Sequence, residues 1–254
     1  MHAKLNDLGK IRVAAVSYLN TKPLLYGIER HPVREQIELI EDYPSKIAQM
    51  LINDEVDLGL IPVAATLRLK EWHTVTDYCI GANGPVASVC LFSEVPIDKI
   101  KTVYLDYQSR TSVNLAKVLL KEYWEKEVEY IDAKGEDFRQ QIAGTAAGVV
   151  IGDRALEQRN RSKYIYDLAE TWKLHTGLPF VFAAWIANKR LKPEFEELFN
   201  QANGLGFDHI DEIVQQNHFE YYDLKTYYTK CIDYKLDDEK RQAMHLFLKK
   251  LTLQ

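Results

Sequence analysis

The apolar run Ile11-Arg12-Val13-Ala14-Ala15-Val16 gives way abruptly to the polar-rich block Ser17-Tyr18-Leu19-Asn20-Thr21-Lys22-Pro23-Leu24. This pattern ends a buried strand and opens a helix from Thr21 to about Glu29, with Thr21 as the cap and Pro23 in the first turn. Ile37 to Glu41 reads as a second strand. Pro44 to Asn53, with Ile47, Met50 and Leu51 at helical spacing, reads as a helix, and Val56 to Pro62 as a third strand. Alternating strands and helices predict a mostly parallel sheet.

A long extended segment, Gly84 to Ser93, interrupts this series. A second βα series follows: a strand from Thr102 to Asp106, a helix from Thr111 to Trp124, and strands at Val128–Asp132 and Gly148–Ile151. Gly177 to Ala187 is again apolar and extended. Beyond it the pattern turns helical, at Pro193–Ala202, Asp208–Asn217 and Asp238–Leu251. Two βα halves joined by two extended segments predict two lobes crossed twice by the chain, with a ligand in the cleft between them. The first lobe takes residues 1–93 and 185–254, the second 94–184. Gly204-Leu205-Gly206 lacks the third glycine and preceding strand of a dinucleotide fingerprint and reads as a turn between helices.

Composition narrows the class. The chain has 254 residues, 46% of them hydrophobic and 27% charged, as in an ordinary globule. With 32 basic and 37 acidic residues the net charge is -5, and no basic block marks a nucleic-acid surface. Cys79, Cys90 and Cys231 are odd in number and widely spaced, which suits free thiols in a reducing compartment. Met1 to Lys10 carries no apolar signal core and no stretch reaches membrane-spanning length, so a cytoplasmic protein away from membranes is expected. The oligomeric state is not legible.

The chain carries no phosphate-binding P-loop, HExxH helix, calcium loop or GxSxG elbow. His2, His31, His73, His175, His209, His218 and His245 are scattered without ligand spacing, so no metal site is expected. Four polar clusters remain, each at a strand end or crossing. Ser17, Asn20 and Thr21 form the first; Thr21 is explained by capping, Asn20 is not. Gly84-Pro85-Val86-Ala87-Ser88 is the second, where glycine and proline allow close backbone approach and Ser88 is a hydroxyl in an apolar strand. Ser109-Arg110-Thr111-Ser112 opens a helix, and free amides with hydroxyls there suit an anion. The fourth is Ile151-Gly152-Asp153, in which Asp153 reads either as a wall of the site or as a helix cap. Tyr221, Tyr222, Tyr227, Tyr228 and Tyr234 crowd the tail and read as helix packing.

Taken together, Ser17–Leu24, Asp57–Val63, Gly84–Ser93, Ser109–Val113, Ile151–Asp153 and Thr176–Ala183 resemble the chorismate dehydratases of the futalosine route to menaquinone. The resemblance runs from about Ile11 to Leu251. The related enzymes making 1,4-dihydroxy-6-naphthoate open instead with a Ser-Pro-Cys-Pro-Asn-Asp block, which is absent here. Where the family often has arginine, this chain has Lys22, which keeps the charge without bidentate geometry.

The resemblance implies a type II periplasmic-binding-protein-like α/β fold and a carbon–oxygen lyase that needs no cofactor. Its reaction converts chorismate to 3-[(1-carboxyvinyl)oxy]benzoate: a proton leaves the ring carbon bearing the ether, the neighbouring hydroxyl departs, and the ring becomes aromatic. It further implies that Asn20 and Ser88 are catalytic, holding the enolpyruvyl carboxylate that takes the proton. Ser17, Tyr18, Thr21, Gly84, Pro85, Ser109, Arg110, Thr111, Ser112, Gly152 and Asp153 would bind substrate, while Tyr18 and Trp185 either stack on the ring or simply pack. The competing readings are a cytoplasmic aromatic-acid binding protein, a neighbouring enzyme of the same route, and a pyrimidine-precursor binding protein.

Overall fold

A computed structural model describes residues 9–253, so Met1 to Leu8, read above for an export signal, lie outside the described residues. The chain builds two sheets. Strands β1 (Ile11–Val16), β2 (Ile37–Asp42), β3 (Leu58–Pro62) and β4 (His73–Ala82) start the first, and β5 (Val89–Ser93), β6 (Thr102–Leu105), β7 (Glu129–Asp132), β8 (Ala146–Ile151) and β9 (Tyr164–Asp167) form the second. Strands β10 (Phe180–Ala187) and β11 (Asp233–Lys235) return to the first. The orders are β11-β4-β10-β3-β1-β2 and β7-β6-β8-β5-β9.

Pairing is parallel for β1 with β2 and β3, and for β6 with β7 and β8. It is antiparallel wherever β4, β5, β10 or β11 takes part, so the sheets are mixed rather than mostly parallel. The reason is directional: β5 and β10, which follow the two crossings, run against the βα strands β8 and β3 beside them, and β4 and β11 extend the first sheet beyond β10 by further antiparallel pairing. At the level of sheets, the changeovers fall before Val89 and before Phe180, since β5 pairs with β8 and β10 with β3.

Helices α1 (Lys22–Arg30), α2 (Pro44–Ile52), α3 (Thr111–Glu122), α4 (Asp153–Gln158) and α5 (Leu168–Thr176) link the strands. The tail follows as α6 (Pro193–Leu205), α7 (Ile210–Gln216), a short turn α8 (Leu224–Thr226) and α9 (Asp238–Thr252). Helix α5 ends on Gly177 in the left-handed region at φ 77, which closes the helix before the second crossing. The residues of both crossings, Val86 and Val89 on one and Phe180 and Phe182 on the other, belong to one apolar cluster reaching into both sheets. Among the described residues no helix is long and apolar enough to cross a membrane.

Helix α1 lies against α6 at backbone contact. A Cβ on Gly27 would stand 1.9 Å from the Ala202 carbonyl oxygen, and one on Gly206 1.8 Å from that of Pro23. Gly27→Ala gains about 1 kcal/mol of helix propensity. It is nonetheless expected to destabilise the protein by about 3 kcal/mol, because α1 must move off α6. Urea unfolding measures this; a variant within about 0.5 kcal/mol of wild type would contradict the contact.

Candidate active site between the two sheets

The carboxyl ends of β1, β2 and β3 face those of β6 and β8 across a cleft, the edge at which open α/β sheets bind ligands. The cleft holds about 480 Å³ of space between atoms, part of it open solvent. Its apolar wall includes Val16, Pro44, Pro62, Ile80, Ile151 and Phe182. Its polar lining is Tyr18 and Asn20 from the first sheet side, Ser88 from the crossing, and Ser109, Thr111 and Ser112 from the start of α3. No histidine, carboxylate, lysine or arginine is among the described residues that line it.

Asn20 is buried, and its Oδ1 accepts a hydrogen bond of 3.2 Å from the Thr21 hydroxyl. Its Nδ2 has no partner among the described residues and is free to donate into the cleft. Thr21 does not cap: the turn Leu19–Thr21 is already helical, so Thr21 takes φ -91 and ψ -16 and its hydroxyl turns to Asn20 instead. Ser88 is fully buried; its Oγ accepts from the Tyr227 hydroxyl at 2.7 Å, and its carbonyl accepts from the Gly152 amide at 2.8 Å.

The backbone before Ser88 is unusual. Ala87 has φ 63, a region that non-glycine residues enter at a cost of order 1–3 kcal/mol. The Ala87 amide donates to Asp167 Oδ2 at 2.8 Å and its carbonyl accepts from Arg159 at 3.2 Å, so side chains from two elements hold the strain. Asp167 Oδ1 also caps α5 through the amides of Ala169 and Glu170. Gly84 is half-buried and Pro85 exposed, outside the lining.

At the start of α3, the Ser109 Oγ accepts from the Ser112 amide at 3.0 Å, and the Thr111 hydroxyl accepts from the Ala64 amide at 3.1 Å across the cleft. The Thr111 O–H and the Ser112 hydroxyl have no acceptor among the described residues, so both can donate to a ligand at the positive end of the helix dipole. Arg110 is exposed and stands outside the lining, as does exposed Ser17. Lys22 points elsewhere, to Glu41 at 3.6 Å. Trp185 is buried on the far side, donating from Nε1 to Asn203 at 2.7 Å.

Gly152 has φ 65 and ψ -149, and a Cβ there would meet the Tyr18 ring at 2.8 Å. Tyr18 thus lies flat against the opposite lobe, its hydroxyl donating to Gln108 Oε1. Gln108 also accepts from Arg154 at 2.8 Å, and Arg154 pairs with buried Asp106 at 2.9 Å. Burial pushes the Tyr18 phenol up, so it stays neutral. Asp153 lies outside the lining and caps nothing in its own helix; its carboxylate accepts from the Leu19 amide at 3.1 Å, bridging the lobes. Burial raises its pKa from 3.8 to about 6.

That shift has a signed consequence. Between pH 4 and 6 the folded protein retains a proton on Asp153 that the unfolded chain has released, so raising the pH across this window removes stability. Asp153→Asn keeps an acceptor for Leu19 but cannot ionise. The difference in Tm, variant minus wild type, is therefore expected to rise from pH 4 to 6 and level off above. A difference independent of pH would contradict it.

Tyr227 and Tyr234 do pack in the core, as the sequence suggests, but the sequence does not reveal what their hydroxyls bond. Tyr227 reaches Ser88, and the Tyr234 hydroxyl donates to the Asn20 carbonyl at 2.9 Å. Both tail tyrosines therefore hold a candidate catalytic position. The only signal was their density, which does not reveal a partner.

The sequence model of a family described as menaquinone biosynthesis matches residues 11–252. The chain belongs to that family. A chorismate dehydratase from Campylobacter jejuni is 26% identical over 243 residues, 92% of this chain and 94% of its own. One from Thermus thermophilus is 26% identical over 215 residues, 78% of each chain. Among solved structures, a Candida albicans protein described as having the generic periplasmic binding protein fold aligns with a TM-score of 0.66 at 14% identity. That alignment covers 97% of this chain and 91% of the other, and it shows the shared fold.

Proposed function

We propose that the protein dehydrates chorismate to 3-[(1-carboxyvinyl)oxy]benzoate in the cytoplasm, as a step of menaquinone biosynthesis. The observation that carries the reading is the lining itself: hydrogen-bond donors face the cleft from both lobes, and no protein carboxylate or imidazole stands among them. Such a site suits a dianion that brings its own base. The chorismate dehydratase relatives supply the choice of substrate.

In this reading the ring carboxylate sits at the start of α3, on Thr111 and Ser112, where helix amides and hydroxyls favour a negative charge. Asn20 and Ser88 hold the enolpyruvyl carboxylate over the ring carbon that bears the ether. That carboxylate takes the C–H proton, the neighbouring C–O bond breaks, and the proton leaves with the hydroxide as water. Aromatisation drives the step. Holding the carboxylate at this distance replaces a bimolecular encounter with an intramolecular one. The apolar wall excludes bulk water, and Tyr18 closes the cleft from the first lobe against Gly152.

The test is to incubate the purified protein with chorismate and analyse products by chromatography and mass spectrometry. A product one water lighter, with the aromatic spectrum of an alkoxybenzoate, is expected. Binding of chorismate with no change in it would instead identify a binding protein.

A further inference from the structure

Tyr227 is fully buried, is remote in sequence from the cleft, and takes no part in the reaction as written, yet its hydroxyl donates to Ser88 Oγ at 2.7 Å. We propose that Tyr227 is the positioning residue that turns the Ser88 hydroxyl into a fixed donor aimed at the substrate carboxylate. This rests on the dehydratase reading of the cleft and deepens it.

The direction of the bond follows from chemistry. A phenol is the more acidic hydroxyl and an alkanol oxygen the better acceptor, so Tyr227 donates and Ser88 accepts. One Ser88 lone pair is then occupied, and the rotation of its O–H about Cβ–Oγ is confined to the remaining positions. No other group among the described residues bonds to this Oγ, and Ser88 lines the cleft, so the proton is available to a ligand there. A hydroxyl that accepts a hydrogen bond is also polarised into a stronger donor.

The phenol cannot swing away. Tyr227 opens a π-helical turn, Tyr227–Cys231, a geometry common at functional sites. Its ring stands edge-on to Tyr222 at 6.1 Å and beside Tyr228 at 5.8 Å. From the other side, Ser88 is held through its carbonyl by the Gly152 amide and through the strained Ala87 preceding it. Acceptor and donor are thus both immobilised, which a bond serving only to satisfy a buried phenol does not require.

A double-mutant cycle separates positioning from mere packing. Wild type, Tyr227→Phe, Ser88→Ala and the double variant are compared for kcat and KM with chorismate and for Tm. Tyr227→Phe is expected to lower kcat by about tenfold or more with KM changed less than about threefold. In the Ser88→Ala background the same replacement is expected to change kcat by less than about twofold, because no hydroxyl remains to be oriented. Losses that multiply in the double variant, or a Tyr227→Phe enzyme with wild-type kcat, would overturn the proposal. The affinity for 3-(carboxymethoxy)benzoate, which carries a second carboxylate on the ether arm for Ser88 to hold, measured by calorimetry in the same four proteins, gives an activity-independent cycle with the same expected non-additivity. A wild-type protein that leaves chorismate unchanged would refute the dehydratase reading, and the binding cycle with the dicarboxylate would still decide the role of Tyr227.

Discussion

Ser88→Ala and Asn20→Ala are each expected to cut the turnover of chorismate by about 10²–10³-fold, the usual cost of removing one donor from a site that stabilises developing charge. The two replacements differ in what else they disturb. Asn20→Ala keeps the main-chain carbonyl that Tyr234 engages and frees only the Thr21 hydroxyl, so its fold should be nearly unaffected. Ser88→Ala leaves the Tyr227 hydroxyl buried without an acceptor, a loss of about 1–3 kcal/mol in stability. Kinetics and thermal unfolding on both variants therefore separate chemistry from folding. A kcat within about threefold of wild type in both would remove these residues from the reaction.

Gly152→Ala is the second replacement with a large expected effect. The backbone at φ 65 and ψ -149 is close to inaccessible to alanine, and the new methyl would also stand 2.8 Å from the Tyr18 ring. The side chain that gives way is Tyr18, which loses its seat on the second lobe and its bond to Gln108. A displacement of about 1 Å in a reacting site costs on the order of 10²-fold, so kcat/KM is expected to fall by at least that much. Gly144 supplies the control: it too has positive φ, at 58, but a Cβ there meets nothing within 4 Å. Gly144→Ala should lose about 1 kcal/mol of stability and retain full activity. Equal activity in both variants would show that the Tyr18–Gly152 contact has no catalytic weight.

The sequence carried the site where chemistry and local structure coincide. The change from Val16 to Ser17-Tyr18-Leu19-Asn20 marks a strand end, and Val16, Tyr18 and Asn20 do line the cleft. The polar helix start after β6 was legible for the same reason. Thr21 misled because capping preference ignores the preceding turn, which had already bent the chain into a helix. Strands β4 and β9 escaped although Thr74, Thr76, Tyr164 and Tyr166 favour strands, because neither alternates: β4 is buried on both faces toward Ala82, and β9 is four residues at a sheet edge with Tyr164, Ile165 and Tyr166 all half-buried. Parallel and antiparallel pairing could not be told apart because strand direction is set by where the chain changes lobe, and local periodicity says nothing about that.

The tail tyrosines show the same limit at the scale of one atom. Helical spacing indicates that Tyr227 faces inward. It cannot indicate that the hydroxyl at the end of the ring meets a serine 139 residues away, or that Tyr234 meets a carbonyl 214 residues away. The network Tyr18–Gln108–Arg154–Asp106 was missed for that reason too. Each member is an ordinary polar residue until the two lobes are brought together.

The most direct test of the account uses chorismate carrying deuterium on the ring carbon that bears the enolpyruvyl ether, incubated with the purified protein and followed by mass spectrometry. The account predicts an enolpyruvyl benzoate from which the deuterium has been lost together with the hydroxyl. Recovery of unchanged labelled chorismate from folded protein, or a dehydrated product that retains the deuterium, would contradict it.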